Sequence, residues 1–493
     1  MLPWPCSRGI ISPALGQPGH TGYRILVQDT RLVEALSFDD VVLVPALSPV
    51  EPWQVDIASK ASRNVAVNVP LLSAPMDTVS EWRLAVVLAL LGGIGVIHRN
   101  MSVEEQRHHV EKVKNHPIVE LADIAVYEGE ECCRVRETMR TLGVRQLPVV
   151  DAAETVKGYV EFAELETCSC GTPVAKLTKP GPVFELGEER RAIDFVKRGE
   201  LDAAAVTLKS KFLGTVTVHE ALAVYSPVLD EEGRLRVAAA ISPFDIKRAQ
   251  ALDGSVDILV SDVAHFHNVN VISAVKKLVK SISTDFVAGN LGTREGVLDT
   301  LSKIEKVDGL RMGIAGGSIC TTSGVAGIAA PTLFAVMQAR SALEELGVKL
   351  DSIPIIADGG IRGPGDAVKA LAAGASTVMT GYMLAGTDEA AAPLIRVGSK
   401  LYKPYRGMAS RGALERRYAV DRYSRVAKRV EEGIEGLVRY RGPVRHVILE
   451  FVEGVKAGLG YAGASSIPEL WGAARFARVT SRIGAYTSVV KTD

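Results

Sequence analysis

Short apolar runs alternate with amphipathic stretches along most of the chain, and this alternation predicts strands followed by helices. The first such unit has strands at 69–73 and 94–99 with a helix at 81–91, and another short strand is predicted at 36–45. The pattern returns near residue 234, with predicted helices at 271–281 and 365–373 and predicted strands at 235–241, 257–262, 283–289, 309–313, 353–360 and 376–381. We expect a (β/α)8 barrel of the α/β class, with functional residues on the loops that follow the strands.

Between these two parts the rhythm changes, and one small pattern occurs twice. The first copy has a predicted helix at 135–142 and strands at 146–151 and 158–162; the second has a helix at 190–198 and strands at 202–207 and 214–218. Two copies of one unit indicate a paired module inserted in a loop of the barrel. The predicted domains are a tail at 1–30, the barrel at 31–117 and 228–493, and the paired module at 118–227.

Composition narrows the class of function. The chain has 493 residues, and its 57 Lys and Arg residues equal its 57 Asp and Glu residues, so no excess positive charge attracts nucleic acid or a membrane surface. The longest apolar run, 84–97, is too short to span a bilayer. The start of the chain lacks the pattern of a secretion signal. We therefore expect a cytoplasmic protein with small-molecule ligands.

The six cysteines do not form the pattern of a disulfide scaffold. Cys132, Cys133, Cys168 and Cys170 lack the Cys-x-x-Cys spacing of structural zinc sites, so we expect ordinary free thiols there. Cys320 differs because it lies in a loop rich in glycine and hydroxyl residues, 311–322. A lone cysteine is most often a small buried apolar residue, but this neighbourhood favours a reactive thiol.

Two glycine-containing loops at predicted strand ends, 358–361 and 380–383, indicate a phosphate site, with tight turns as the alternative. The carboxylate of Asp358 suits the two hydroxyls of a ribose. Asp262 also ends a predicted strand and suits a second ribose, although no Gly-x-Gly-x-x-Gly motif of a Rossmann fold is present. His265 and His267 lack a further ligand set, which argues against a metal there.

A polar stretch at 409–429 is interpreted as either a solvated linker or a mobile lid. Arg422 and Tyr423 lie within it. An arginine in a dry site beside a phenol could act as a base, whereas an exposed surface pair is the default interpretation.

Beyond the N-terminal tail, the chain closely resembles the IMP dehydrogenase/GMP reductase family. The segments that carry the resemblance are 36–45, Ala74-Pro-Met-Asp-Thr-Val79, 92–101, Gly317-Ser-Ile-Cys-Thr-Thr322, 356–361, Tyr405-Arg-Gly-Met408 and 432–436. The paired module looks like two CBS domains and lies where this family carries them. The chain differs from the family's common residues at Ala315, Ser323, Phe266 and Tyr382.

The resemblance implies that Cys320 forms a covalent thioimidate with inosine 5'-monophosphate (IMP), that NAD accepts the hydride, and that hydrolysis releases xanthosine 5'-monophosphate. Thr322, Arg422 and Tyr423 would assist catalysis, with Arg422 as the base on a flap at 409–432. The implied nucleotide contacts are Met76, Ser318, Asp358, Gly360, Gly381, Tyr382, Tyr405, Gly407, Met408 and Glu432. The implied cofactor contacts are Asp262, Asn290, Arg311 and Gly313.

The resemblance also implies a potassium ion bound by backbone carbonyls of Ala315, Gly317 and Cys320, and a homotetramer that CBS pairs can join into octamers. Adenine or guanine nucleotides are the implied CBS ligands, with a spacer role as the alternative. Two other functions stay open: GMP reductase, which deaminates GMP with NADPH, and a non-catalytic regulatory protein of the CBS type.

Overall fold

Eight short parallel strands form one sheet that closes into a barrel. The strands are Leu71–Ser73 (β1), Val96–Ile97 (β2), Ala238–Ile241 (β3), Ile258–Ser261 (β4), Asp285–Leu291 (β5), Gly309–Met312 (β6), Ile355–Asp358 (β7) and Thr377–Thr380 (β8). Each strand from β2 to β7 pairs with the next, and β8 pairs with β1. A parallel bridge between Leu72 and Ile94 joins the two ends of the sheet. The predicted barrel class is confirmed.

The computed structural model describes residues 32–217, 226–416, 418 and 431–480. Residues from Leu36 onward belong to one compact unit. Residues 32–35, in the other unit, have no regular secondary structure. Within the described residues, no helix is long and apolar enough to cross a membrane.

Helices follow the strands and cover the outside of the barrel. They are Trp82–Leu90, Val103–Lys114, Ile246–Leu252, Val269–Leu278, Arg294–Lys303, Thr332–Glu345, Pro364–Ala372, Tyr382–Ala385 and Val444–Tyr461. Residues 84–90 are all buried, as their apolar sequence requires. The helix from Val103 is mostly polar instead, and a capping box between Ser102 and Glu105 fixes its start.

The side chains of each barrel strand alternate between two apolar layers. On β3, Ala238 and Ala240 face the cluster inside the barrel, whereas Ala239 and Ile241 pack in the cluster shared with the helices. Both faces of the strands are therefore buried, which explains their continuous apolar sequences.

The chain between β2 and β3 forms two small α/β halves. The first contains Val126–Tyr127, Cys132–Leu142, Gln146–Val150, Val156–Glu161 and Phe162–Thr167; the second contains Phe184–Glu185, Glu189–Lys197, Ala203–Leu208 and Lys211–Thr217. In each half the short first strand pairs in parallel with the second, which pairs antiparallel with the third. The repeated order matches the predicted duplication; the boundaries 118 and 227 and the CBS assignment stay predictions.

The prediction of free thiols in the first half is wrong. Disulfide bonds join Cys132 to Cys168 and Cys133 to Cys170. The start of the helix Cys132–Leu142 packs beside residues 168–172, which brings the paired Cα atoms to 6.5 and 5.1 Å. These separations are within the reach of a disulfide. Sequence spacing alone did not reveal that the two segments meet.

Smaller elements surround the barrel. The strand expected at 36–45 is only Val41–Leu43, and it pairs with Phe476–Arg478 outside the barrel. The remaining elements are the hairpin Ser59–Ser62 and Val65–Val67, the sheet of Ile395–Val397, Lys400–Arg406 and Glu435–Arg439, the α-helices Thr322–Ala326, Arg411–Glu415 and Ile467–Ala473, and 3-10 turns at Pro52–Gln54, Val174–Leu177 and Val279–Ser281.

Candidate active site

One pocket opens at the ends of the barrel strands where the chain leaves the sheet. The predicted site residues in its wall are Met76, Asn290, Arg311, Gly313, Ala315, Gly317, Ser318, Cys320, Thr322, Asp358, Gly360, Gly381, Tyr382, Tyr405, Gly407, Met408 and Glu432. These residues come from the loops after β1, β6, β7 and β8, from β5, β6 and β7 themselves, and from the segments around 407 and 432. Sequence positions more than 350 residues apart, such as Met76 and Glu432, thus meet in one cavity.

Cys320 lies on the long loop after β6 and is half-buried. Its backbone N–H donates to the carbonyl of Gly317 at 3.0 Å, which forms a tight turn. An antiparallel bridge links Cys320 to Gly433, and the N–H of Ile434 donates to the carbonyl of Ile319 at 3.1 Å. Cys320 is the free cysteine of the described residues. The bridge therefore fixes the thiol against the segment that carries Glu432.

A short polar chain connects the thiol to a buried carboxylate. The Sγ atom of Cys320 lies 3.2 Å from the Oγ1 atom of Thr322. The Thr322 hydroxyl donates to Oε2 of Glu432 at 3.0 Å. Glu432 is only 4% exposed. This arrangement gives a proton on the sulfur a hydrogen-bonded route through a hydroxyl to a carboxylate.

Two glycines make room in the pocket. Gly360 has a φ of +74°, a left-handed conformation, and a Cβ there would lie 3.2 Å from the carbonyl oxygen of Gly316. At Gly381 a Cβ would lie 2.5 Å from Sδ of Met76 and 3.0 Å from the phenol oxygen of Tyr405. Any side chain at position 381 would therefore fill the space between β8 and these two residues.

Tyr405 closes one side of the same space. The pKa of its phenol is raised to about 12, mainly by burial and in part by the nearby Asp358 charge, while a hydrogen bond with Ser318 acts in the opposite direction. The phenol thus keeps its proton at neutral pH. Tyr405 and Ser318 together present neutral hydroxyl groups beside the glycine loops.

Asp358, at the end of β7, is held by two neighbours. Arg311 contacts its Oδ2 through both Nε and Nη2 at 2.8 Å. The side-chain amide of Asn290 donates to the same oxygen at 2.8 Å and to the carbonyl of Gly313 at 2.9 Å. Among the described residues, none forms a hydrogen bond with Oδ1 of Asp358. This oxygen is available to a ligand in the pocket.

Asp262 has a different environment from the one expected. It is fully buried, and it is not part of the pocket wall. Its Oδ2 accepts from Nε of Arg99 at 3.2 Å, and its Oδ1 lies 3.5 Å from Nη1 of Arg311. Arg99 also donates to the backbone carbonyls of Asp262 and Tyr418. The predicted contact of Asp262 with a cofactor stays a prediction, and here its carboxylate contacts two arginines.

Sequence reasoning missed Asp77, which supports the pocket from behind. Arg406 forms two hydrogen bonds with its carboxylate, at 3.0 and 2.6 Å, and Asn100 donates to it at 2.7 Å. Burial alone would raise the pKa of Asp77, but the hydrogen bonds and charge of Arg406 outweigh burial and lower it. This pair fixes the strand segment beside Met408. The only sequence signal was the position of Asp77 directly after Met76.

Arg422 and Tyr423, the predicted base and its partner, lie outside the described residues, as does most of the expected flap at 409–432. The described part of that segment is the helix Arg411–Glu415 and its neighbours up to residue 416, together with residues 418, 431 and 432. Asn100 donates to the carbonyl of Ala413 at 3.1 Å. This bond holds the described start of the segment against the barrel.

Comparison with known proteins shows the family to which this chain belongs. The family model for the IMP dehydrogenase/GMP reductase domain matches residues 35–488 of this chain. An inosine-5'-monophosphate dehydrogenase from Korarchaeum cryptofilum is 43% identical over 456 residues, which cover 90% of this chain and 94% of that protein. One from Thermoplasma acidophilum is 40% identical over 465 residues, covering 92% and 93%.

Among solved structures, a GMP reductase from Trypanosoma brucei in complex with guanosine 5'-monophosphate is similar, with a TM-score of 0.68 and 33% identity. The similarity covers 92% of this chain and 96% of that one. With the family model matching nearly the whole chain, this protein is a member of the IMP dehydrogenase/GMP reductase family.

Proposed function

We propose that this protein oxidises IMP to xanthosine 5'-monophosphate with NAD as the hydride acceptor, through a covalent intermediate on Cys320. The observation that carries the proposal is the position of the Cys320 thiol in the same pocket as Asp358, Ser318 and Tyr405. A thiol beside groups that suit a ribose and a phosphate can attack the base of a bound nucleotide. The relatives at 43% and 40% identity, both IMP dehydrogenases, favour this reaction over reduction.

In the proposed first step, the sulfur of Cys320 bonds to C2 of the purine ring while the C2=N3 π bond opens and N3 takes up a proton, which it loses again when the hydride leaves and the double bond re-forms. The thiol proton leaves by way of the Thr322 hydroxyl, which hydrogen-bonds Glu432 at 3.0 Å. The hydrogen on C2 then departs with its electron pair as hydride. The remaining thioimidate is hydrolysed, and the C–S bond breaks to return the thiol and release the product. Overall, IMP, NAD+ and water give xanthosine monophosphate, NADH and one proton.

The nucleotide is proposed to bind with its ribose at Oδ1 of Asp358 and its phosphate at the glycine loops. Gly360, Gly381 and Tyr382 would offer backbone N–H groups, and Ser318 and Tyr405 would offer hydroxyls. Met76, Gly407 and Met408 would surround the base, with Glu432 at its edge. All of these residues line the one pocket that contains Cys320.

NAD supplies a pyridinium ring that accepts a hydride. The wall of the pocket that contains Cys320 also includes Ala264, Asn290, Arg311 and Gly313, and these residues would face the cofactor ring. These residues fit a cofactor in position and in polarity. In the present arrangement Asp262 supports Arg311 behind this wall. The residues proposed to activate water for hydrolysis are Arg422 and Tyr423.

A potassium ion is proposed at the carbonyls of Ala315, Gly317 and Cys320. The donor type fits, because potassium binds oxygen ligands, and the Gly317 carbonyl retains a lone pair beyond its bond to the Cys320 N–H. Ala315 adopts a φ of +61°, which turns the loop in a manner that glycine usually permits. A homotetramer, larger assemblies through the paired module, and adenine or guanine nucleotides at that module are further proposals from the family resemblance.

The proposal is tested by a matrix of substrates and cofactors. IMP or GMP is incubated with NAD or NADPH, with and without potassium, while NADH absorbance and nucleotide products are measured. We expect turnover of IMP with NAD and no turnover in the other three combinations of nucleotide and cofactor. Turnover of GMP with NADPH and none of IMP would instead establish a reductase, as in the solved neighbour. No turnover in any combination of substrate and cofactor would favour the non-catalytic alternative.

A further inference from the structure

A row of four alternating charges crosses the mouth of the barrel behind the pocket. It runs from Arg99, after β2, to Asp262, after β4, then to Arg311 on β6 and Asp358 at the end of β7. Arg99, Asp262 and Arg311 are 2%, 0% and 4% exposed. Arg311 and Asp358 line the pocket, and Oδ1 of Asp358 is the oxygen that is available to a ligand there.

The distances within the row are unequal. Arg311 lies 2.8 Å from Asp358 but 3.5 Å from Asp262, whereas Arg99 lies 3.2 Å from Asp262. Among the described residues, Arg99 and Arg311 are thus the cations within reach of the Asp262 carboxylate, and Arg99 is the nearer. Buried ion pairs depend strongly on such geometry because a charge without a partner is costly there. Arg99 therefore satisfies Asp262 and leaves Arg311 free to bind Asp358 closely.

We propose that Arg99 is a positioning residue for nucleotide recognition, because it keeps Arg311 on Asp358 and so aims Oδ1 of Asp358 at the ribose diol. The inference rests on the proposed function only in taking a purine ribonucleotide as the ligand. Without Arg99, Asp262 draws Arg311 toward itself and away from Asp358. The carboxylate at the pocket then loses the partner that fixes its orientation.

The row makes a specific prediction about selectivity rather than about overall affinity. A site built to bond a hydroxyl rejects the analogue that lacks it, and this rejection depends on correct placement of the acceptor. The parent protein is expected to bind IMP more tightly than 2'-deoxy-IMP. Replacement of Arg99 by methionine should reduce this preference at least about fivefold, mainly because the protein binds IMP less tightly.

Two further variants separate positioning from general damage. Arg99→Lys keeps a positive charge beside Asp262 and should retain most of the preference. Arg99→Met combined with Asp262→Asn removes both charges of the pair, so Arg311 is no longer drawn from Asp358 and the preference should return. The matched control is Arg248→Met, since Arg248 is also buried and donates to a carboxylate and to a backbone carbonyl.

Calorimetric titration of the full-length variants with IMP and with 2'-deoxy-IMP measures the ratio directly. Loss of the preference in Arg99→Met, its return in the double variant and no change in Arg248→Met would support the inference. Equal weakening of both nucleotides, or an unchanged ratio in folded Arg99→Met, would overturn it. If Arg99→Met does not fold, the double variant tests the inference instead. A preference of the double variant for IMP over 2'-deoxy-IMP that is smaller than the parent's would overturn the inference. Turnover of IMP by the parent is scored separately and tests the proposed function alone.

Discussion

The Sγ atom of Cys320 lies 3.2 Å from the Oγ1 atom of Thr322, whose hydroxyl donates to Glu432. Removing this hydroxyl without changing the side chain's shape breaks the route between sulfur and carboxylate. We expect Thr322→Val to lower kcat on the order of 100-fold, the scale of a lost proton-transfer group, with little effect on IMP binding. Steady-state kinetics and calorimetry measure the two quantities.

The neighbouring Thr321 provides the control, because it does not line the pocket. Thr321→Val should retain nearly the parent's kcat. Equal losses in the two variants would show that the hydroxyl of Thr322 has no special role.

Gly381 is expected to be intolerant of any side chain. The Cβ of Gly381→Ala would lie 2.5 Å from Sδ of Met76 and 3.0 Å from the Tyr405 phenol oxygen. The methionine would have to move, and it lines the space proposed for the nucleotide. We expect the KM for IMP to rise about tenfold, equivalent to about 1.4 kcal/mol.

Gly472→Ala is the matched control, since a Cβ there meets nothing within 4 Å. This variant should keep the parent's KM. A normal KM in Gly381→Ala would contradict the proposed nucleotide position.

Asp77 and Arg406 should contribute pH-dependent stability. The folded state lowers the pKa of Asp77 below its ordinary value of 3.8, so the stabilisation is present above that value and is lost as the pH falls through the folded pKa. Asp77→Asn should cost about 2 kcal/mol at pH 7, less than a fully buried pair, because Arg406 is partly exposed. The difference from the parent should shrink below about pH 4.

Denaturant titrations at several pH values measure this difference. Asp39→Asn serves as the control, since Asp39 forms an exposed pair with Arg362. Its cost should stay below about 1 kcal/mol at every pH. A cost for Asp77→Asn that did not change between pH 7 and pH 3 would refute the assignment.

The two disulfides should stabilise the first half of the paired module. They close loops with sequence separations of 36 and 37 residues. By restricting the unfolded chain, one such crosslink should stabilise the fold by about 4 kcal/mol. The second should add little more, because the two loops overlap. We expect a reducing agent to lower the melting temperature of the module.

A variant with serine at Cys132, Cys133, Cys168 and Cys170 should melt at the reduced parent's temperature with or without reductant. Cys320→Ala should respond to reductant as the parent does, because Cys320 is not part of either bond. Thiol counting on the unfolded, unreduced protein checks the bonds directly. Four free thiols in the module would contradict the structure.

Periodicity predicted the barrel well because both faces of its strands are buried. β7, for example, lies within the predicted strand 353–360, but it ends at Asp358 since Gly359 and Gly360 take positive φ values. The predicted strand 36–45 was too long for a local reason. Ser37 donates twice to Asp40, which forms a turn before Val41.

The pocket residues could be predicted from motifs, but their partners could not. Asp262 was expected at a strand end and was found there, yet the arginine that neutralises it is 163 positions away in sequence. The cysteine pairs of the module were missed for the same reason. Such contacts depend on how distant segments pack, and one sequence carries no direct signal of that.

Mass spectrometry of the Cys320 peptide tests the central claim most directly. The protein is mixed with IMP and NAD, quenched in acid during turnover and digested. We predict a nucleotide adduct on Cys320 in the parent, which is absent without NAD and absent from Cys320→Ala, and no turnover by that variant. Oxidation of IMP by Cys320→Ala at the parent's rate would contradict the covalent mechanism.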